Sequence, residues 1–296
     1  MTPAEDFSTT PPFVVHSPVR PRVPFVFNSP HSGSHYPPRF LAMSRLDRHA
    51  IRRSEDCYVD ELFAGVTRLG APLLAANFPR AYLDVNREAL ELDQRMFTGP
   101  LPPHANARSP RVAGGLGTVP RLVGEGQEIY TRKLPVAEAM GRIDAFYRPY
   151  HRMLERLVER THARLGLAVL IDCHSMPASV RIGETGLRPD FIIGDRFGTS
   201  CSGALTEHAI GALAAMGYTV AHNKPYAGGH ITEHYGRPAR GYHALQIEIN
   251  RGLYLDEHTL ARTGGFALLA EDLTRFATAI TQLPPEHLSG LPLAAE

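Results

Sequence analysis

Cysteine is scarce in this chain of 296 residues: there are three, Cys57, Cys173 and Cys201, and no Cys-x-x-Cys spacing. An odd, scattered set makes neither a disulfide framework nor a cysteine zinc site, and it fits a reducing cytoplasm. Charge of one sign is not in excess either. Lys and Arg number 31 against 30 Asp and Glu, for a formal net charge of +1. Without a basic run, the electrostatic footprint of a nucleic-acid binder is missing. No apolar run approaches the ~20 residues that span a bilayer, so no membrane partner is expected. Met1 to Arg22 lacks the basic-then-apolar order of a signal peptide. Internal repeats and long low-complexity segments are absent. Histidine, by contrast, is abundant at 15 residues, which favours metal or acid–base chemistry.

A chain of this length can bury a good core as one large domain or two small ones, and one is expected. The expected organisation is an extended, Pro- and Thr-rich arm over residues 1–22, a single α/β catalytic domain over 23–282, and a Pro-rich tail over 283–296. The run Val23-Pro24-Phe25-Val26-Phe27 reads as a buried strand, and Leu167 to Ser175 as another. Further strands are expected over Pro72–Ala76, Ala81–Val85, Phe191–Gly194, Tyr218–Ala221 and Tyr242–Ile249. Helices are expected over Leu46–Arg53, from Ser54 through Leu69, within Ile129–Leu165, over Cys201–Met216 and over Asp256–Ile280. Strands alternating with helices argue for an α/β sheet covered on both faces. Residues 88–126 form a long irregular stretch whose Arg108, Arg111 and Arg121 suit a positively charged lid or a solvated loop.

Two strands far apart in sequence each deliver a histidine to a strand end: Asn28-Ser29-Pro30-His31-Ser32-Gly33 and Asp172-Cys173-His174-Ser175. Ligands in α/β folds bind beyond the carboxyl ends of the strands. With Glu55-Asp56 at an expected helix start and Glu248 near a strand end, four such positions carry polar groups. Two histidines and one carboxylate are a common three-ligand set for catalytic zinc, with a fourth position open to water. Glu248, the carboxylate left over, then suits a general base. Asp172, two residues before His174 on the same strand face, suits an acceptor that orients the ligand imidazole. Arg80, Asn86 and Arg87 lie around one segment, and guanidinium groups bind carboxylates and stabilise oxyanions. Each residue also has an ordinary reading: Glu55 and Asp56 as helix-cap carboxylates, Glu248 as an ion-paired strand residue, and Asp84 as the partner of Arg80 or Arg87.

The ordered set of motifs resembles the N-formylglutamate amidohydrolase family, which is related to the zinc carboxypeptidase and aspartoacylase superfamily. The matching pieces are Ser29-Pro30-His31-Ser32-Gly33, Glu55-Asp56 with Val59-Asp60-Glu61-Leu62, Arg80 with Leu83-Asp84-Val85-Asn86-Arg87, Asp172-Cys173-His174-Ser175, Asn223 to Gly229, and Leu245 to Arg251. They span Phe25 to Leu255, and Asp-x-Asn-Arg with Asp-x-His in this order is fairly specific. The resemblance implies a three-layer α/β/α fold with a mixed, mostly parallel central sheet, zinc-carboxypeptidase-like. It implies Zn2+ or another divalent transition metal on His31, His174 and either Asp56 or Glu55, with Asp56 preferred, and Glu248 as base. Arg80 would polarise the scissile carbonyl. Asn86 and Arg87 would hold a substrate carboxylate, and Tyr226, Gly228 and Gly229 would complete the substrate pocket. The wider superfamily uses His-x-x-Glu, but Ser34 stands three residues after His31. The implied activity is hydrolysis of N-formyl-L-glutamate, or a close N-acyl amino acid, to formate and the amino acid, in cytoplasmic histidine degradation.

Overall fold

The structure is a computed structural model, and it describes residues 3–124, 126–183 and 186–288. Residues 1–2 of the expected arm and 289–296 of the expected tail lie outside the described residues.

Seven strands share one sheet: β1 (Phe13–His16), β2 (Phe25–Ser29), β3 (Leu73–Ala76), β4 (Ala168–Met176), β5 (Phe191–Gly194), β6 (Val220–His222) and β7 (Tyr242–Asn250). Their spatial order is β1-β3-β2-β4-β7-β5-β6. The pairs β2–β4, β4–β7 and β5–β6 run parallel, while β7–β5 runs antiparallel. The sheet is therefore mixed and mostly parallel, and helices flank it, as expected. All nine residues of β4 are buried, which requires cover on both faces of the strand. Its apolar start, Ala168-Val169-Leu170-Ile171, supplies the β-branched and aliphatic side chains that such a strand needs. The segment expected to be an extended arm contributes β1, and Phe7 before it is buried against Phe146 and His35.

Packing divides the chain into two compact units. One comprises Val15–Ser29, Tyr58–Leu74 and Glu155–Glu296. Within it, α5 (Gly203–Ala215) packs on α7 (Gly265–Thr281) and α6 (His230–Tyr235) packs on β7. The other comprises Met1–Val14, Pro30–Cys57 and Ala75–Leu154. Its core is aromatic, with Phe146 in ring contact with Phe7, Phe78 and Tyr82. Into it Arg142 inserts a fully buried guanidinium, 4.0 Å from the Tyr82 ring centroid. Glu138 supplies the counter-charge at 3.0 Å, and Tyr82 O accepts from Nη1 at 2.9 Å. That buried cation is thus paired, stacked, and hydrogen-bonded through Nε and Nη1.

Several local expectations change. Ala81–Val85 is a turn, not a strand, with Tyr82 N and Leu83 N both donating to Pro79 O. Asp84 pairs with Arg80 four residues before it and Arg87 three after it, and a strand rising ~3.3 Å per residue would hold those partners too far apart. The expected helix from Ser54 to Leu69 is two short pieces, α1 (Val59–Leu62) and α2 (Val66–Leu69). Glu55 is extended and Tyr58 takes a left-handed φ of 62°, so the polar pair sits on a connection ahead of the helix. Leu46–Arg53 forms only a 3-10 turn, Ala50–Ser54. The long segment before β4 is helical as α3 (Val136–Arg142) and α4 (Arg148–Leu165), joined by a π turn over Ile143–Tyr147. The last helix begins at Gly265, because Leu255–Asp256 pairs instead with Ala261–Arg262.

Gly33 shows how tightly the loop after β2 is seated. A Cβ there would lie 2.2 Å from Phe78 O and 2.6 Å from Asn77 C, both backbone atoms. Gly33→Ala is therefore expected to destabilise the protein by roughly 1–3 kcal/mol, the usual cost of overpacking. A denaturation midpoint equal to that of the parent protein would show that the loop can move aside freely.

Candidate metal centre

The centre begins with strand register. Asn28 at the end of β2 pairs with Asp172 of β4, Asp172 pairs with Gln246 of β7, and His174 pairs with Glu248. Residues paired across neighbouring strands share a sheet face, and so do residues two apart on one strand. Asn28, Asp172, His174, Gln246 and Glu248 are therefore one patch on one face. All five are buried, so their polar atoms must be satisfied from within the protein. Asn28 Nδ2 donates to Asp172 Oδ1 at 2.7 Å, and His174 Nε2 lies 2.8 Å from Asp172 Oδ2. On β7, Gln246 Nε2 donates to Glu248 Oε1 at 2.9 Å.

His31 lies beyond the end of β2, 1% exposed, in the loop that Pro30 opens. Its Nε2 lies 2.8 Å from Asp84 Oδ1, and its Nδ1 lies 3.4 Å from Asp56 Oδ2. Asp56 N donates to His31 O at 3.0 Å, which fixes the two residues side by side. Burial alone would raise the Asp84 carboxyl, but Arg87, Arg80 and His31 more than offset it and hold Asp84 well below the usual carboxylate range. Asp84 is therefore an anion and accepts from Nε2–H. On the other side of the ring, Nδ1 of His31 faces the Asp56 carboxylate oxygen at 3.4 Å.

His31, Asp56 and His174 each offer one ligand atom, and these atoms lie within 4.8 Å of one another. For both imidazoles, a carboxylate on Nε2 leaves Nδ1 as the ligand atom, the carboxylate–histidine device seen around bound metals. Metal–ligand bonds of ~2.0–2.1 Å at tetrahedral angles put neighbouring ligand atoms ~3.3 Å apart, close to the His31–Asp56 spacing. Two imidazoles and one carboxylate suit zinc and related divalent metals. The residues present therefore fit a divalent metal.

Glu55 is otherwise engaged. Arg52 grips its two oxygens from Nε at 2.9 Å and Nη2 at 2.8 Å, and Tyr36 OH donates at 3.1 Å. Its neighbour Asp56 is the one that joins the histidines. Arg80 and Arg87 both pair with Asp84 Oδ2, at 3.0 and 3.3 Å, the ion-pair alternative raised from the sequence. Arg87 also donates to Leu116 O and Asn86 O, both at 2.7 Å. Burial pulls its guanidinium down to about 10, which still leaves a cation at neutral pH. Asn86 is buried, its N–H donating to Asp84 Oδ1 at 2.8 Å. Tyr226 is half-buried against Met176, Ile192 and Ala221. Gly228 has a left-handed φ of 114°, and Gly229 N donates to Gln246 Oε1 at 2.8 Å. All three cysteines are buried and free, and burial raises the Cys173 thiol well up and takes that of Cys201 to about 12. None of them is poised as a nucleophile.

With fold and centre described, the comparisons with known proteins acquire a physical footing. Residues 23–255 match the family of N-formylglutamate amidohydrolase. N-formylglutamate deformylase of Pseudomonas putida is 30% identical over 245 residues, which are 80% of this chain and 83% of that protein. The N-formylglutamate deformylase of Pseudomonas aeruginosa is 32% identical over 241 residues, again 80% of this chain and 84% of the relative. The crystal structure of N-formylglutamate amidohydrolase from Ralstonia eutropha superposes with a TM-score of 0.86 at 39% identity, covering 91% of this chain and 97% of that one. The chain belongs to the N-formylglutamate amidohydrolase family, and with it to the amide hydrolases.

Three participants escaped the sequence reading. Asp84 was weighed only as an arginine partner, although His31 needs an Nε2 acceptor just as His174 does. Asn28 drew no role of its own, yet a polar residue ending an otherwise apolar buried strand calls for a buried partner. Gln246 went unremarked, although Gln-x-Glu repeats the two-residue spacing of Asp-x-His. Among the described residues no helix is long and apolar enough to cross a membrane.

His174→Ala removes one of the three ligand atoms and leaves Asp172 with an unused acceptor. We expect metal content per chain to fall to a small fraction of the parent value. Full occupancy, measured by elemental analysis after dialysis, would refute the assignment of His174 as a ligand.

Proposed function

We propose that this chain is a metal-dependent deformylase that hydrolyses N-formyl-L-glutamate, or a close N-acyl amino acid, to formate and the free amino acid, in cytoplasmic histidine degradation. The observation that carries the proposal is the buried His31/Asp56/His174 triplet in a chain whose relatives are N-formylglutamate deformylases. When bound there, zinc or another divalent metal supplies Lewis acidity toward the scissile carbonyl and the hydrolytic water. Glu248 is the base: it takes the proton of the attacking water and returns it to the departing amine nitrogen. Gln246 holds one oxygen of that carboxylate. Arg80, with a side chain 27% exposed, donates to the developing oxyanion. The substrate's carboxylates call for cations, and Arg87 with Asn86 takes that role, while Tyr226, Gly228 and Gly229 line the remaining pocket.

The direct test is formate release from a panel of N-formyl and N-acetyl amino acids, with and without chelator. The proposal expects N-formyl-L-glutamate to be turned over fastest and the chelator to abolish turnover. A chain that holds metal without releasing formate from any member would be a binding protein.

Glu248→Gln keeps the size of the side chain while removing the proton acceptor. It is expected to lower kcat by roughly 10²–10⁴-fold with folding and metal content nearly unchanged. A metal-loaded variant with undiminished turnover would move the base to another residue.

Arg87→Ala is expected to raise KM for N-formyl-L-glutamate far more than for an uncharged N-formyl amino acid, because a bidentate carboxylate contact is lost. Equal effects on both substrates would assign Arg87 wholly to holding Asp84.

A further inference from the structure

Glu248 is backed by a relay that the deformylase reading does not call for. Gln246, 4% exposed, sits two residues before it on the same face of β7. Gly229 N–H donates to Gln246 Oε1 at 2.8 Å, and Gln246 Nε2 donates to Glu248 Oε1 at 2.9 Å. A backbone N–H can only donate, so the amide oxygen must face Gly229 and the NH2 must face Glu248. The side-chain amide cannot flip without breaking both bonds. Glu248 is thereby held through Oε1.

The relay has a mounting. Gly229 precedes the first turn of α6, where backbone N–H groups lack intrahelical partners. Gln246 pairs in register with Gly194 on β5. A Cβ at Gly194 would meet Ala227 C at 2.7 Å, Gly228 N at 2.8 Å and Ala227 O at 3.0 Å. The loop before α6 therefore descends onto the bare backbone of β5, in register with the residue it must reach. Arg196 N fastens it there by donating to Ala227 O at 2.7 Å.

We propose that Gln246 is a positioning residue for Glu248, with Gly194 and Gly229 as the mounting that fixes its amide. It touches no substrate and acts only through the carboxylate it orients. The kinetic part of this inference rests on the deformylase reading, and the structural part does not.

Gln246→Met keeps the length of the side chain and removes both bonds. The expected result is a kcat lower by roughly 10–100-fold, the usual effect of losing an orienting partner, with KM and metal content near parent values. In a Glu248→Gln background the same change should have almost no further effect, because the residue it positions is gone. Gly194→Ala, which lifts the loop carrying Gly228 and Gly229, should lower kcat in the same direction. Amide hydrogen exchange of Gly229 should accelerate in Gln246→Met. An unchanged kcat, or an equal loss in both backgrounds, would overturn the positioning role. Should the parent protein release no formate, the deformylase reading fails by itself, and the exchange rate still decides the relay. Slow exchange of Gly229 in Gln246→Met would overturn the mounting, and fast exchange would sustain it.

Discussion

A polar group placed in a buried strand must be satisfied by groups that the strand itself brings along, and the centre follows from that constraint. Strand β4 is buried along its whole length, yet it carries Asp172 and His174. Leaving either unpaired would cost several kcal/mol. Asp172 answers the need with both oxygens, one toward Asn28 and one toward His174. Both contacts depend on register: β2 sets Asn28 opposite Asp172, and the two-residue strand period sets His174 beside it. Slipping β4 by one residue would turn the carboxylate and the imidazole to the opposite face. The apolar pattern that fixes the register is thus also what fixes the place of His174.

The second histidine reaches the same condition by another route. His31 lies on a loop, where no sheet partner stands opposite, and its Nε2 acceptor is Asp84. Asp84 sits in a turn between Arg80 and Arg87, whose charges keep it ionised despite burial. One imidazole is thus oriented by an anion supported by an amide, the other by an anion supported by two guanidinium groups. The arginines need face no substrate to matter: through Asp84 they set the tautomer of His31, and so which nitrogen is offered to a metal.

How much of this was legible follows from the range of each signal. Strands β2, β4, β5 and β7 were readable because each is a short apolar run bounded by turn residues, and the polar strand ends stood out against them. Asp-x-His was readable since the pair sits on one strand at the strand period. The Arg80–Arg87 segment misled because Ala81-Tyr82-Leu83 has strand composition, while its conformation answers to the Asp84 ion pairs and to Pro79. The helix expected from Ser54 failed for a similar reason: a serine-and-acid opening looks like a cap, but Glu55 is bound by Arg52 and Tyr36 and Asp56 is tied to His31. Contacts between distant segments overrode local propensity in both places.

The two backing residues differ in chemistry, and the difference follows from what each supports. An imidazole that offers Nδ1 to a cation has an N–H on its other nitrogen and needs an acceptor there; a carboxylate at position 172 fills that need and makes the ring a better donor to metal. A carboxylate proposed to accept a proton, as Glu248 is, has no N–H to place and needs a donor to hold it; an amide at position 246 fills that need at Oε1. Exchange the two and both fail. A carboxylate at 246 would set two anions side by side, so that one would take up a proton, and an amide at 172 would surrender the negative charge that strengthens His174. An amide, unlike a carboxylate, has two unlike ends, so it works only if something fixes which end points where. Gly229 N–H supplies that fixation, and the bare backbone of Gly194 lets it approach. The Gly-rich loop, which composition alone presents as a substrate cradle, thus already has one N–H committed inside the protein.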